Sequence, residues 1–185
     1  MTDLTPITAL GAAAPRVETF GALQIEENAG LALASLALRK GGNTPAPFGL
    51  TLPDVASAVS NGEIGAFWTG RGQWMVEAAG KSETDFAALL KAEAPECIVT
   101  EQTDGFVAFE VVSTQGGAPI EALMSKLLNI DPKTFGAGQA VRTGLEHMTV
   151  FLIRRSDEKL AVIGMRTLAG SLWHALAVAA RRLED

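Results

Sequence analysis

His147-Met-Thr-Val-Phe-Leu-Ile153 and Lys159-Leu-Ala-Val-Ile-Gly164, two apolar runs around Ser156-Asp157, decide the fold class. Runs rich in valine, isoleucine and phenylalanine on either side of a polar turn predict a β-hairpin. Upstream, Pro119 suits a first helical turn, and Ile120, Leu123, Met124 and Leu127 then share one face. Downstream, Thr167 is expected to cap a last helix with Leu168, Leu172, Leu176, Ala179 and Leu183 on one stripe. Arg181 and Arg182 there complement the negative end of the helix dipole. Phe106–Val112 precedes all of this as a strand. The order from Phe106 is therefore strand, helix, strand, strand, helix, the order of a ferredoxin-like split β-α-β unit.

The earlier half repeats that order if a loop takes the place of its first helix. Leu31–Arg39 reads as a buried strand ending at Gly41-Gly42, and Gly41–Pro53 as a proline- and glycine-rich loop. Pro53 is placed to open a short helix before Asn61-Gly62. Ile64–Trp68 and Gln73–Glu77 flank Gly70-Arg-Gly72 as a hairpin. Ser82-Glu-Thr-Asp85 reads as a capping box for a helix with Phe86, Leu89 and Leu90 on one face, ended by Pro95. Cys97–Thr100 and Phe106–Val112 read as strands about an Asp104-Gly105 turn. The expectation is an α+β protein: two ferredoxin-like split β-α-β units packed together, with antiparallel or mixed sheets and helices on one face. Residues 1–20 form an N-terminal arm ordered by a partner, 21–104 the first unit and 105–185 the second, in one compact domain.

Composition narrows the function classes. A net charge of -6 over 185 residues lacks the basic footprint of a nucleic-acid binder. Apolar residues make up 48% and charged residues only 19%, which favours a surface partly covered by a partner. Cys97 is the single cysteine, so no intrachain disulfide can form, and a reducing cytoplasm is expected. The N-terminus has no basic residue before Arg16, unlike a secretory signal. The longest apolar run, Ala29–Leu38, is roughly half what a bilayer requires, so no membrane association is expected.

Candidate chemistry is sparse. There are two histidines and no tyrosine, leaving few groups for acid–base work near neutral pH. His147 opens a strand and His174 lies on the last helix, and both read as structural or surface residues. Cys97 sits among apolar strand residues and reads as a small buried side chain. Glu26-Glu27 and Asp157-Glu158 are neighbours in turns with diverging side chains, expected to be solvated rather than metal-binding. Gly136-Ala-Gly138 follows a helix, whereas a dinucleotide fingerprint follows a strand. Gly70-Arg-Gly72 is a hairpin tip. Trp68, Trp74 and Trp173 read as core or contact residues, the first two placed to cluster across their hairpin. No catalytic, cofactor-binding or metal-ligating residue is assigned.

Three segments carry a resemblance. Phe67-Trp-Thr-Gly-Arg-Gly-Gln-Trp-Met-Val76 has an aromatic, a turn and a second aromatic before a strand. Leu123–Thr143 carries a helix, a connection with Asp131, Phe135 and Gly138, and Thr143 on the following strand. Arg166-Thr-Leu-Ala-Gly-Ser-Leu-Trp173 opens the closing helix. In this order and spacing they resemble the gamma subunits of heterotetrameric sarcosine oxidases, with Arg71 and Gly72 departing from the family's Pro-Asp/Glu turn.

The resemblance implies an aminomethyltransferase folate-binding-domain-like fold, related to the glycine cleavage T-protein. It also implies a non-catalytic subunit supporting the oxidative demethylation of sarcosine to glycine. Its partners would be the alpha, beta and delta subunits, and FAD, FMN, NAD and tetrahydrofolate would sit on those subunits. The alternatives are a stand-alone folate-binding aminomethyltransferase, an iron–sulfur assembly protein, or a generic ferredoxin-like interaction domain. Cys97 follows Pro95-Glu96, so the Lys-Gly-Cys-type motif of the assembly proteins is absent.

Overall fold

Strand residues alternate between two sheet faces, and in the central strands of this chain both faces are buried. The computed structural model describes residues 6–184. Its strands are β1 (Val17–Phe20), β2 (Leu23–Glu27), β3 (Ala32–Ala37), β4 (Ala58–Ser60), β5 (Ile64–Gly70), β6 (Gln73–Ala78), β7 (Ile98–Glu101), β8 (Phe106–Ser113), β9 (Ala140–Leu145), β10 (Met148–Ser156) and β11 (Lys159–Met165). The helices are α1 (Phe86–Glu93), α2 (Ala118–Leu127) and α3 (Ala169–Arg181). They form two sheets, ordered β1-β2-β8-β11-β10-β9 and β4-β5-β6-β3-β7, with every strand pair antiparallel.

The layers follow from the alternation. In the first sheet Phe109, Val111, Val150, Leu152 and Val162 pack with Ile120, Leu123, Leu172 and Leu176 of α2 and α3. In the second, Ala34, Leu36, Val76 and Trp74 pack with Phe86 and Leu90 of α1. The opposite faces meet each other through Leu31, Leu33, Phe67, Met75, Ala108, Ile153, Ala161 and Ile163. The architecture is thus helices, sheet, sheet, helix, an α+β arrangement in which each sheet carries helices on one face.

Several elements differ from expectation. β7 makes no hairpin with β8; it pairs with β3, from Ala37↔Ile98 to Ala34↔Glu101. A 3-10 turn at Thr103–Gly105 redirects the chain between sheets, and Thr103 Oγ1 accepts the Leu33 amide at 3.0 Å. No helix follows Pro53: its carbonyl accepts Trp74 Nε1 at 2.8 Å, Ala56 takes φ 58, and the chain enters β4 instead. The cap of α1 is Asp85, whose side chain accepts the Ala88 amide, and not Ser82. Thr167 caps nothing, because Arg166–Leu168 is a 3-10 turn running into α3. β9, carrying Thr143, adds a strand that the hairpin reading leaves out.

The N-terminal segment is tied to the chain itself. Residues 1–5 lie outside the described residues. Val17–Phe20 is a strand paired to β2, and β2 pairs with β8, so residues 17–27 build the sheet formed mostly by the second half. Glu27, only 1% exposed, accepts the amides of Leu10 at 3.0 Å and Arg16 at 3.3 Å. A buried carboxylate without these donors would be costly, so the arm and Glu27 stabilise each other. Glu27 is therefore not the solvated turn residue expected.

Candidate functional site

Apolar strands with a charge on the inward face mark a polar region between the sheets. Glu77 interrupts Trp74-Met-Val-Glu77 on β6, Glu110 interrupts β8, and Arg155 ends the apolar part of β10. The fold brings all three together. Arg155 Nε donates to Glu110 Oε2 at 2.9 Å and its Nη2 to Glu110 Oε1 at 3.0 Å. The same guanidinium donates through Nη2 to Glu77 Oε2 at 3.0 Å and through Nη1 to Glu77 Oε1. Burial disfavours the charge of Arg155, but the hydrogen bonds and charges of Glu77 and Glu110 outweigh it and hold its pKa above the ordinary range. Asn28 Nδ2 adds a 3.3 Å bond to Glu110 Oε1. Gly65, opposite Glu77 on β5, makes room for it, since a Cβ there would stand 2.7 Å from Glu77 Oε1.

These residues wall a cleft of about 540 Å3 between the sheets, with Glu26, Glu63 and Lys159 also lining it. Its chemical capacity is limited. Arg155 has its donors taken by two carboxylates, and no cysteine, serine–histidine pair or histidine lines the walls beside it. The arrangement is a bridge that joins β10 of one sheet to β6 of the other. Sequence reasoning missed it, although a charge at an inward position of an apolar strand was a visible signal.

Of the residues that carry the resemblance, Gly138 forms a second joint between the sheets. Asp131 makes an Asx turn, its Oδ1 accepting the Lys133 amide at 3.1 Å. Phe135, 6% exposed, is anchored in the core under α2 and α3. Gly138, at φ 79, donates its amide to the Arg154 carbonyl at 2.8 Å and accepts the Ala58 amide at 2.8 Å. Ala140 then donates to the Ala56 carbonyl at 3.0 Å. Thr143 pairs with Val150 across β9 and β10. The stretch stitches backbone to backbone and contributes no reactive group.

Other candidates are placed plainly. Cys97 is buried, and burial pushes its thiol above the ordinary value while Lys91 pulls the other way, so it is a poor nucleophile. Trp68 and Trp74 pair directly across their hairpin. His147 and His174, treated separately in the sequence, line one shallow depression with Glu146, Leu168 and Ser171. Glu146 and His147 form its turn with φ 43 and 70. Among the described residues no group of three or more His, Cys, Asp or Glu side chains could hold a metal ion, and no helix is long and apolar enough to cross a membrane.

No protein-family model matches the chain, and no curated protein sequence matches it. Solved structures do. A chain of the heterotetrameric sarcosine oxidase from Corynebacterium sp. U-96 in complex with pyrrole 2-carboxylate aligns with a TM-score of 0.74 at 17% identity, over 91% of this chain and 89% of that one. The glycine cleavage system aminomethyltransferase T from Bartonella henselae aligns with a TM-score of 0.58 at 16% identity, over 84% of this chain but only 48% of its own. This chain has the fold shared by a chain of the sarcosine oxidase complex, along nearly the full length of both, and by about half of the aminomethyltransferase.

Proposed function

We propose that the protein is a non-catalytic structural subunit, the gamma subunit, of a heterotetrameric sarcosine oxidase. One observation carries the reading: the fold likeness spans 91% of this chain and 89% of a chain from such an oxidase. The site geometry supports it, because Arg155, Glu77 and Glu110 satisfy each other in a bridge that joins the two sheets. On this reading FAD, FMN, NAD and tetrahydrofolate bind elsewhere in the complex. The alpha, beta and delta subunits are the partners, and the chain works in the cytoplasm as part of the demethylation of sarcosine to glycine. The test is co-expression with candidate flavoprotein partners. Co-purification in fixed stoichiometry is expected, and a chain that elutes alone at micromolar concentration contradicts the reading.

A folate-binding role for the isolated chain is the second reading. It is favoured by Glu26, a carboxylate outside the Arg155 bridge that lines the 540 Å3 cleft, and by the aminomethyltransferase likeness. Calorimetry with a reduced folate separates the two. The subunit reading expects no heat of binding from the chain alone, whereas saturable binding abolished by Glu26→Ala would establish the second.

A further inference from the structure

Residues 6–16 form neither helix nor strand, and little of their side-chain surface is buried. Thr8 is buried, Ala9 and Leu10 are half-buried, and the others are exposed. Ile7 keeps 61% of its surface in solvent. Few buried apolar contacts and a solvent-facing backbone put a segment at the low end of local stability.

The segment is held near its two ends. Toward β1 the tie is Glu27, whose carboxylate accepts the Leu10 and Arg16 amides and whose own amide donates to the Arg16 carbonyl at 2.8 Å. The Arg16 guanidinium also lies over the Trp173 ring, 4.7 Å from its centre. At the other end Arg166 Nη2 donates to the Ile7 carbonyl at 3.1 Å. Between these ties the chain crosses a second cleft, of about 560 Å3. Leu31 and Leu33 wall it on the side of β3, Phe106 and Ala108 on the side of β8, and Ile7 and Thr8 from the segment itself. The segment thus spans a space that it does not fill.

We propose that residues 6–16 are a lid over this cleft, hinged where the chain enters β1 and latched by Glu27, which opens as one piece. Opening breaks the bonds at Ile7, Leu10 and Arg16 and uncovers the cleft. It leaves both sheets intact, because strand pairing starts only at Val17.

The test is native-state hydrogen exchange of the full chain in sub-denaturing urea. Tryptic cleavage is a second readout, since Arg16 is the first basic residue of the sequence. The Leu10 and Arg16 amides are expected to exchange about 100-fold faster than those of β8 and β11, at rates that barely change with urea. Glu27→Gln takes the charge from the latch and speeds both amides, and cleavage after Arg16, by about tenfold. Arg166→Ala removes the Ile7 tie and speeds exchange at Leu10 several-fold, because the lid moves as one piece. That surface variant decides the matter if Glu27→Gln does not fold. Leu10 and Arg16 amides that share the urea dependence of β8 and β11 overturn the proposal, and so does a Leu10 rate unchanged in Arg166→Ala.

Discussion

The two sheets of this protein cover their outer faces by different means. The six-stranded sheet lies under two helices, α2 and α3, with Phe109 edge-on to Trp173 at 5.4 Å between ring centres. The five-stranded sheet has only the eight-residue α1, and the rest of its cover is the proline-rich loop. Leu50 and Leu52 enter that core from the loop, Phe48 stacks on Phe86 at 6.2 Å, and the Pro53 carbonyl takes the Trp74 indole proton. Loop and helix bury the same kind of face, but a loop holds its residues by single hydrogen bonds and stacked rings. The difference teaches that the chain is a repeated plan in which one copy has exchanged a helix for an irregular segment.

A pair of substitutions probes that contrast most directly. Phe109→Ala, between sheet and α3, should cost toward the upper end of about 3–5 kcal/mol, because the helix cannot sink into the cavity. Phe86→Ala should fall at the lower end of that range, since the Phe48 loop can collapse onto the space; denaturant unfolding of both variants measures the gap. Equal losses would mean that the loop is as rigid as a helix.

Arg155→Met removes the cation that both sheets share and leaves Glu77 and Glu110 facing each other, with side chains 7% and 18% exposed. A loss of about 3 kcal/mol is expected, and adding Glu77→Gln and Glu110→Gln should restore most of it. Trp74→Phe, which leaves the Pro53 carbonyl unpaired, should cost about 1 kcal/mol. Hydrogen exchange should then quicken in residues 41–57 while the α2 and α3 amides stay protected.

The smallest effect concerns Glu101, at the junction of β7 and α1. Burial works to raise its pKa, but hydrogen bonds from the Thr103 hydroxyl and the amides of Thr103, Ala87 and Gln102 prevail and hold it below the ordinary carboxylate value. A depressed carboxylate stabilises the fold above its unfolded pKa, and that contribution disappears as pH falls through the folded value. Glu101→Gln should therefore lower the melting temperature slightly at pH 7, with the difference closing as the solution is acidified below about pH 4. A difference that persists in acid would assign the effect to geometry instead of charge.

Much of this fold could be read from periodicity. The hairpins of β5–β6 and β10–β11, the helix after Pro119 and the α+β class all follow from local patterns of apolar residues. What escaped was non-local. Nothing near Cys97–Thr100 says that this strand will pair with β3, because Asp104-Gly105 makes a plausible hairpin turn until Thr103 binds Leu33 across the chain. Val17–Phe20 is a strand only because β2 and β8 are there to receive it. Glu77, Glu110 and Arg155 lie far apart in sequence, and although each interrupts an apolar strand, nothing local says that the three meet. Asn129–Thr143 identified a resemblance through its spacing, while its role, a backbone stitch from Gly138 to Arg154 and Ala58, needed the two sheets in place.

The central claim is the proposal that this chain acts by assembly. Sedimentation velocity of the purified chain mixed with candidate flavin-binding oxidase subunits, recorded at both protein and flavin wavelengths, tests that claim most directly. The account predicts one faster species in which this chain and the flavin travel together in fixed ratio, unchanged by Glu26→Ala. Two independent boundaries, with the chain sedimenting as it does alone at micromolar concentration, would contradict it.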